Sequence, residues 1–374
     1  MSQPPSEHPV EQPKRTPLHG LHLELGGRMV EFAGWSLPVQ YPAGIMAEHL
    51  HARSAAALFD VSHMGQVLVH GPGAAEAFER LVPGDIAGLP PGRLRYTLLT
   101  NESGGVLDDL IVGRLEDGLS VVVNAGCREA DLAHLCAALE PAHRVEELTD
   151  RGLLALQGPQ AAEVMFRLAP SSADLHFMQA REAMVAGVHC RISRSGYTGE
   201  DGFEISVAAR QAEALARRLL EEDEVAPAGL GARDSLRLEA GLCLYGHELT
   251  PETTPIEARL AWTIGKGRRE RADFPGAAIV MQQLRDGPPR RLVGIRPEGR
   301  APAREGTEIR DQSGRPLGAV TSGGFGPSAG GPVALGYVTA EHAAPETGVQ
   351  LVIRGRPHPG RIVGLPFVPH RYRR

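Results

Sequence analysis

The sequence predicts an α+β fold that ends in a separate β-rich domain. Helical and strand patterns alternate irregularly over the first 287 residues, and Asp117 with Gly118 gives a strong hairpin signal between two apolar runs. This arrangement favours α+β sheets over a doubly wound parallel sheet. After Gly287 the composition shifts and only short β-like runs follow, which is typical of a small β-barrel or sandwich.

The first 287 residues contain helices and strands in two successive groups. In the first group, apolar spacing predicts helices over residues 43–60, 73–81 and 128–139, and strands over 66–70, 94–99, 106–113 and 119–123. In the second group it predicts strands over 153–157, 183–191 and 203–207, and helices over 160–168, 211–220 and 230–242. The resulting domain division is a disordered tail over 1–14, an α+β region over 15–287 and a β domain over 288–374.

The β domain is assembled from short runs that are separated by turn signals. The predicted strands cover residues 292–296, 308–310, 317–321, 333–338, 350–353 and 361–363. Gly323 and Gly324 belong to a glycine-rich segment, 321–331, which we expect to be a flexible turn. That segment carries no lysine, so it does not match a phosphate-binding loop.

Composition excludes several classes of protein. The net charge is −6, which argues against a protein whose main ligand is a nucleic acid. No apolar run is long enough to span a membrane, and the proline-rich N-terminus lacks the apolar core of a secretory signal. The four cysteines are far apart and form no CxxC pair, so neither a structural zinc site nor a disulfide framework is expected. We therefore expect a cytoplasmic protein that uses no metal.

Two adjacent carboxylates, Asp108 and Asp109, stand at the start of an apolar strand. Successive side chains of a strand point to opposite faces, so Asp109 shares its face with Leu107 and Ile111 rather than with Asp108. A carboxylate beside such apolar neighbours is either buried with a partner or directed into a cleft. The alternative interpretation is a solvated acid at the edge of a hairpin.

The segment 193–204 gathers three glycines, Tyr197 and three acids within a few residues. The glycines permit positive φ angles and a close approach of the backbone to a ligand. The acids do not follow the spacing of an EF-hand. A tight acidic hairpin loop explains the same pattern, and both interpretations stay open from the residues alone.

A third segment, 228–246, predicts a partly buried helix that carries two arginines on one face, Arg233 and Arg237. Asp234 stands three residues before Arg237, so a local ion pair explains part of the pattern. An arginine near the start of a buried helix is also suited to hold an anion or a carbonyl group.

Together these segments resemble the T-protein family of the glycine cleavage system. The resemblance runs from about Thr16 to the C-terminus and rests on blocks in the same order along the chain. The blocks are FAGW at 32–35, FDVSHMG at 59–65, NESGGVLDDL at 101–110, QGP at 157–159, GYTGEDGFE at 196–204, the segment 231–246 and PFVPHRY at 366–372. The resemblance implies two N-terminal α+β lobes around a central folate cavity, with a C-terminal β-barrel as the third lobe.

The resemblance also implies a reaction and its partners. Members of the family are tetrahydrofolate-dependent aminomethyltransferases of glycine catabolism. They take an aminomethyl group from the lipoyl arm of the glycine cleavage carrier protein, release ammonia and form 5,10-methylenetetrahydrofolate. The carrier protein is the expected direct partner, and the other glycine cleavage components are indirect ones. Neither a nucleic acid nor a membrane is an expected partner.

Site residues are carried over only where a motif matches. The second acid of the DD pair, Asp109, is the implied catalytic residue. The implied folate-binding or substrate-binding residues are Glu204, Arg233, Tyr372, Tyr96, Tyr197, Asn124 and Met64. Among them, Glu204 would accept the two adjacent N–H donors of the pterin edge.

Two alternatives remain within the superfamily. A folate-dependent demethylase would use the same pocket with another one-carbon donor. A non-catalytic folate-binding protein usually lacks the catalytic aspartate and the GYTGEDG block, and both are present in this sequence.

Overall fold

The computed structural model describes residues 12–374. Of the predicted tail, residues 1–11 lie outside the described residues, and Lys14 already begins the first strand. The strands of the α+β region are β1 (Lys14–Arg15), β2 (Arg28–Phe32), β3 (Trp35–Gln40), β4 (Ala56–Asp60), β5 (Gly65–His70), β6 (Leu94–Thr100), β7 (Val106–Leu115), β8 (Gly118–Val123), β9 (Val145–Glu147), β10 (Arg151–Gln157), β11 (Gln179–Val185), β12 (Val188–Arg194), β13 (Gly202–Ala208) and β14 (Val225–Pro227).

The α-helices of residues 12–374 lie before the C-terminal barrel. They are α1 (His19–Glu24), α2 (Ile45–Ser54), α3 (Ala74–Glu79), α4 (Arg128–Leu139), α5 (Ala161–Leu168), α6 (Ala209–Leu220), α7 (Leu230–Glu239), α8 (Lys266–Arg271) and α9 (Ala277–Asp286). The barrel strands are β15 (Arg290–Pro297), β16 (Glu308–Arg310), β17 (Pro316–Gly326), β18 (Gly331–Thr339), β19 (Gly348–Ile353) and β20 (Arg356–Val363). Among residues 12–374, no helix combines the length and the apolar character that crossing a bilayer requires.

Two large sheets form the α+β region, as the mixed pattern predicts. One has five antiparallel strands in the order β6-β7-β8-β5-β9, and α3 and α4 pack on it through an apolar core that includes Phe78 and Leu135. The other has six strands in the order β11-β12-β13-β10-β4-β14, with α5 and α6 against it. A small sheet of β1, β3 and β2 completes the region.

The C-terminal strands close into a barrel in the order β15-β18-β17-β16-β19-β20, which decides between the barrel and the sandwich. Apolar side chains such as Val293, Ile309 and Val349 fill its interior. Helix α7 lies at the centre of the molecule and packs against α2, β3 and β17. Leu238 of α7 packs with residues of the five-stranded sheet and of the barrel, and Leu236 packs with residues of the six-stranded sheet, so both large sheets and the barrel meet at this helix.

Three predictions of local structure are wrong. The helix expected over 43–60 ends at Ser54, because the apolar run that follows is a buried strand, β4, in the interior of the six-stranded sheet. The strand expected over 183–191 is a hairpin of β11 and β12, which turns at Ala186 and Gly187, both with positive φ. The glycine-rich segment 321–331 is mostly strand, because β17 continues through Gly326.

Candidate active site

The DD pair lies in β7, and the expected separation of its two side chains is confirmed. Asp108 is fully buried, whereas Asp109 is half-buried on the opposite face, as are Leu107 and Ile111. Strand β7 lies between β6 and β8, so the alternative of a solvated acid at a hairpin edge is wrong. The sheet therefore presents one carboxylate on each of its faces at this point.

Asp109 is held by side chains from both neighbouring strands. Asn124, just after β8, donates from Nδ2 to Asp109 Oδ1 at 2.9 Å and to the Asp109 carbonyl oxygen at 3.1 Å. The same amide nitrogen donates to Asp108 Oδ1 at 2.8 Å. Tyr96 of β6 is a diagonal neighbour, and its hydroxyl donates to the Asp109 carboxylate.

The environment of Asp109 favours a carboxyl group that can exchange a proton. Burial and the neighbouring Asp108 carboxylate raise the pKa of Asp109 to about 7, although hydrogen bonds from Tyr96 and Asn124 act in the opposite direction. A group that titrates near neutral pH is suited to general acid–base catalysis. Strong perturbation by burial together with a specific charged neighbour is also typical of catalytic residues.

A second group of predicted residues lies on α7 and on the loop before β13. The Arg233 guanidinium stacks over the ring of Tyr197, 4.7 Å from its centroid, and the Tyr197 hydroxyl donates to the carbonyl of Cys243. Burial lowers the pKa of Arg233, and the nearby Glu204 carboxylate counteracts this effect. Glu204, on β13, accepts a hydrogen bond from Ser195 Oγ at 2.6 Å. Arg233 thus lies between an aromatic ring and an acid.

The 193–204 segment joins the antiparallel strands β12 and β13, as the alternative of a hairpin loop predicts, but its three acids have three different environments and do not form a solvated turn. Glu200 is buried against Arg53, with 2.8 Å between Nη1 and Oε1, and Asp201 pairs with Arg194. Glu204 contacts only a hydroxyl in this loop. Glu204 is therefore the acid of the segment that a ligand can reach without displacing an arginine.

The glycines of this segment also differ from expectation. Only Gly199 has a positive φ, at +78°. A Cβ atom on Gly196 or Gly202 would lie 1.8 Å or 2.5 Å from the side-chain amide of Gln157. Gln157 donates to the carbonyl of Ser195 at 2.9 Å, so these two glycines make room for a residue that supports the loop rather than for a ligand.

Tyr372 and Met64 contact parts of the molecule other than the DD pair. Tyr372 stacks on Phe177 with parallel rings 4.1 Å apart, and burial raises its pKa to about 12. The preceding residue, Arg371, donates its N–H to the carbonyl of Gly199, which places the C-terminal segment against the loop. Met64 lines a cleft of about 470 Å³ whose other walls include Arg128 and Arg151.

Several residues near the site escaped the sequence analysis. Trp262, which is 66% exposed, stacks on Tyr96 with centroids 5.6 Å apart. Arg53 bridges Glu200 and Glu239, although α2 gives no sign of this role beyond an arginine on a buried face. The sequence gives no signal for Trp262 beyond the rarity of tryptophan, of which the chain has two.

Within residues 12–374, one group of potential metal ligands occurs next to the site: Asp108, Cys127 and Asp131, whose ligand atoms lie within 4.8 Å of one another. Both Asp108 oxygens already accept hydrogen bonds from Asn124. Burial and the nearby acids raise the pKa of the Cys127 thiol, which disfavours the thiolate that a metal would bind. The group fits a metal ion poorly, and the expectation of a metal-independent reaction stays a prediction.

The chain is similar to known proteins along nearly its whole length. The model of the GCVT N-terminal domain matches residues 18–268, and that of the glycine cleavage T-protein C-terminal barrel domain matches residues 290–369. The mitochondrial aminomethyltransferase of Gallus gallus is 50% identical over 96% of this chain and 93% of that protein. The corresponding protein of Dictyostelium discoideum is 46% identical over 96% of this chain and 94% of its own.

A solved structure agrees with these relatives. The crystal structure of glycine cleavage system aminomethyltransferase T from Bartonella henselae superimposes with a TM-score of 0.91 at 46% identity, and the match covers 96% of this chain and 99% of that one. Identity at this level over both domains goes well beyond a shared fold. The chain therefore belongs to the glycine cleavage T-protein family and is an aminomethyltransferase.

Proposed function

We propose that the residues around α7 bind tetrahydrofolate and transfer to it the one-carbon unit of an aminomethyl group carried on a lipoyl arm. The carbon begins bonded to sulfur and to an amine. It ends bonded to N5 and N10 of folate, as 5,10-methylenetetrahydrofolate. The two protons that leave the folate nitrogens balance the free thiol and the ammonia that are released.

Glu204 and Arg233 are the proposed anchors for folate. The ionised Glu204 carboxylate accepts the two adjacent N–H donors of the pterin edge, in place of its hydrogen bond from Ser195. Arg233, held over the Tyr197 ring, offers donors to carbonyl or carboxylate oxygens of the same molecule. Tyr96, Tyr197 and Tyr372 are the proposed aromatic walls.

Asp109 is the proposed catalytic residue, and its environment is the observation that carries this assignment. Its carboxyl group titrates near neutral pH and is oriented by Asn124 and Tyr96. It accepts a proton from a folate nitrogen as that nitrogen attacks the carbon, and returns it to a leaving group. Most of the remaining rate enhancement comes from holding the folate nitrogens in line with the donor carbon.

The lipoylated glycine cleavage carrier protein is the proposed partner, because its lipoyl arm carries the aminomethyl group. Met64, which lines the cleft described above, is a proposed contact for the substrate. Tetrahydrofolate is a co-substrate in this scheme, and no metal takes part. The cytoplasm remains our prediction for the compartment of this chain.

The experiment that tests the function combines the purified protein, tetrahydrofolate and aminomethylated carrier. Ammonia and 5,10-methylenetetrahydrofolate should appear in equal amounts and only when the carrier is present. Folate binding without ammonia release would indicate a non-catalytic relative. Folate-dependent turnover of another one-carbon donor, without carrier, would indicate a demethylase.

A further inference from the structure

A second carboxyl group lies behind the DD pair. Asp131 of α4 is 3% exposed, and an oxygen of its carboxyl group lies within 4.8 Å of an oxygen of Asp108, which is fully buried. Within residues 12–374, no donor contacts the buried Oδ2 atom of Asp131. The cation nearest in sequence, Arg128, pairs with Glu147 instead. Two buried carboxyl groups at this distance and without a cation cannot both be ionised.

The hydrogen bonds of Asp108 show where the proton lies. Its Oδ2 atom accepts the backbone N–H of Asn124 at 3.0 Å, and its Oδ1 atom accepts the Asn124 side-chain N–H at 2.8 Å. The Cys127 thiol is a further donor to it. A carboxylate offers about four lone-pair sites, and only the ionised form can accept at all of them. Asp108 is therefore the ionised partner, and Asp131 supplies the fourth donor.

We propose that Asp131 is a positioning residue that stays protonated and donates its proton to Asp108, so that Asp108 fixes the Asn124 amide that holds Asp109. This inference rests on the proposed catalytic role of Asp109. The chain of contacts runs from α4 through β7 to the end of β8, where Asn124 contacts both members of the DD pair. Without a donor from Asp131, the Asp108 carboxylate loses one of the hydrogen bonds that hold it in place as an acceptor for Asn124.

The proton also limits the charge next to Asp109. With one proton between them, Asp108 and Asp131 carry one negative charge instead of two. Burial and the Asp108 carboxylate raise the pKa of Asp131 to about 9, with Asp109 adding to the shift. The other titratable groups facing the pair are the Cys127 thiol and the Tyr245 hydroxyl, and their pKa values are raised as well.

Two variants of Asp131 distinguish its proposed role as a hydrogen-bond donor from a role that depends on its charge or only on the space it fills. Asp131→Asn keeps an N–H donor toward Asp108 and should retain kcat within about threefold of wild type. Asp131→Leu keeps the branched shape of the side chain with methyl groups in place of the oxygens, removes the donor and should lower kcat about tenfold while the tetrahydrofolate Kd changes less than about twofold, because orientation of the catalytic group is lost and not binding. Glu129→Gln, an exposed acid on the same helix, is the matched control and should behave as wild type.

Infrared spectroscopy tests the proton directly and does not depend on activity. At about pH 8, where a carboxyl group of pKa about 7 is mostly ionised, the carboxylic-acid C=O band of Asp131 should persist in Asp109→Asn and disappear in Asp131→Asn. Persistence of the band in Asp131→Asn would overturn the proposal. So would an equal loss of kcat in both Asp131 variants, or wild-type kcat in both. A wild-type protein that releases no ammonia would instead refute the proposed function while leaving the infrared result interpretable.

Discussion

Two clusters of acids, one on β7 and α4 and the other around Arg53 of α2, differ in the partners that their carboxyl groups have. Asp108, Asp109 and Asp131 contact an amide, a phenol, a thiol and one another. Glu200 and Glu239 contact Arg53, and Glu200 also contacts Arg371. The first cluster has raised pKa values at Asp109 and Asp131. In the second, hydrogen bonds from His49 and from backbone N–H groups, with the charge of Arg53, overcome burial and lower the pKa of Glu239 to about 2.

The difference in partners indicates which acids can take part in the reaction and which stabilise the fold. Acids without a cation keep or exchange a proton near neutral pH, which is what a group that relays protons requires. Acids neutralised by arginine stay ionised and hold chain segments together. Arg53 and Arg371 connect α2 and the C-terminal segment to the loop that carries Tyr197 and leads to Glu204. Substitution of Asp109 in the first cluster should therefore change turnover, and loss of the arginine in the second should change stability.

The largest expected effect is that of Asp109→Asn. The amide keeps the shape of the side chain but cannot accept a proton, so kcat should fall by about 10²–10⁴, the usual contribution of general acid–base catalysis. The tetrahydrofolate Kd should stay within about threefold of wild type, because Asp109 is not a proposed anchor. Ammonia release at saturating carrier gives kcat, and calorimetry gives the Kd.

Asp117→Asn is the control for this variant, since Asp117 is an exposed acid in the turn that joins β7 and β8. More than about a third of wild-type turnover in Asp109→Asn would exclude Asp109 as the residue that handles the proton. Asp108→Asn is not a suitable control, because Asp108 accepts two hydrogen bonds from Asn124 and its loss would disturb the fold.

In the second cluster, Arg53→Met should lower the free energy of unfolding by about 3–5 kcal/mol, because it removes the arginine shared by two buried carboxylates and leaves Glu239 with His49 and Glu200 with only the more exposed Arg371. The midpoint of urea unfolding should fall accordingly. Arg361→Met is the matched control, since it breaks an exposed pair with Glu346 and should cost about 0–1 kcal/mol. Equal midpoints in the two variants would mean that the buried arginine does not stabilise the loop.

Glu204→Ala changes an acid that belongs to neither cluster. Glu204 lies beside the loop of the second cluster, but its hydrogen bond is to Ser195 and not to an arginine. Two hydrogen bonds to a charged group, discounted for the water that replaces them, contribute about 3 kcal/mol. The tetrahydrofolate Kd should therefore rise about 100-fold, while the urea midpoint changes little. Calorimetric titration gives the Kd. Glu182→Ala, on an outer strand of the same sheet, is the control and should leave the Kd unchanged. An equal Kd in both variants would show that Glu204 does not anchor the pterin.

The sequence could predict those features that depend on local periodicity. Alternation along β7 correctly separated Asp108 from Asp109, and the helix predicted over 128–139 is α4 with the same bounds. Strand β4 was missed because a short buried apolar run has the same composition in a helix and in a strand. Periodicity is informative where one face of an element is polar, and it fails where both faces are buried.

Contacts between distant parts of the chain were beyond local patterns. Arg53 meets Glu200 across 147 positions, and nothing near either residue indicates the pair. The approach of Asp131 to Asp108, with carboxyl oxygens within 4.8 Å of each other, likewise depends on how α4 packs on the sheet. The motif resemblance supplied the candidate site residues, but it gave no information about which acids pair with a cation and which carry a proton.

The smallest predicted effect concerns the Tyr96 hydroxyl. If ionised Asp109 is the active form, kcat/KM should fall below pH 7 by about tenfold per pH unit, and Asp109→Asn should show no such dependence. The Tyr96 hydroxyl donates to the ionised carboxylate, so Tyr96→Phe should raise the pKa of Asp109. A hydrogen bond to a charged group contributes about 1.5–3 kcal/mol, which after partial replacement by water corresponds to about one pKa unit.

The acidic limb of the kcat/KM profile should therefore move up by about one unit in Tyr96→Phe, with wild-type rates restored at about pH 9. Stability should follow the same group. The folded pKa of Asp109 lies above its unfolded value of about 3.9, so its contribution is fully present below that value and is lost as the pH rises through about 7, or through about 8 in the variant. Tyr372→Phe, which removes a hydroxyl from a ring stacked on Phe177, is the control and should leave the limb in place. If the acidic limb of the kcat/KM profile stays at its wild-type pH in Tyr96→Phe, a group other than Asp109 sets that limb. The absence of a cation from the first cluster would then not explain the pH dependence of catalysis.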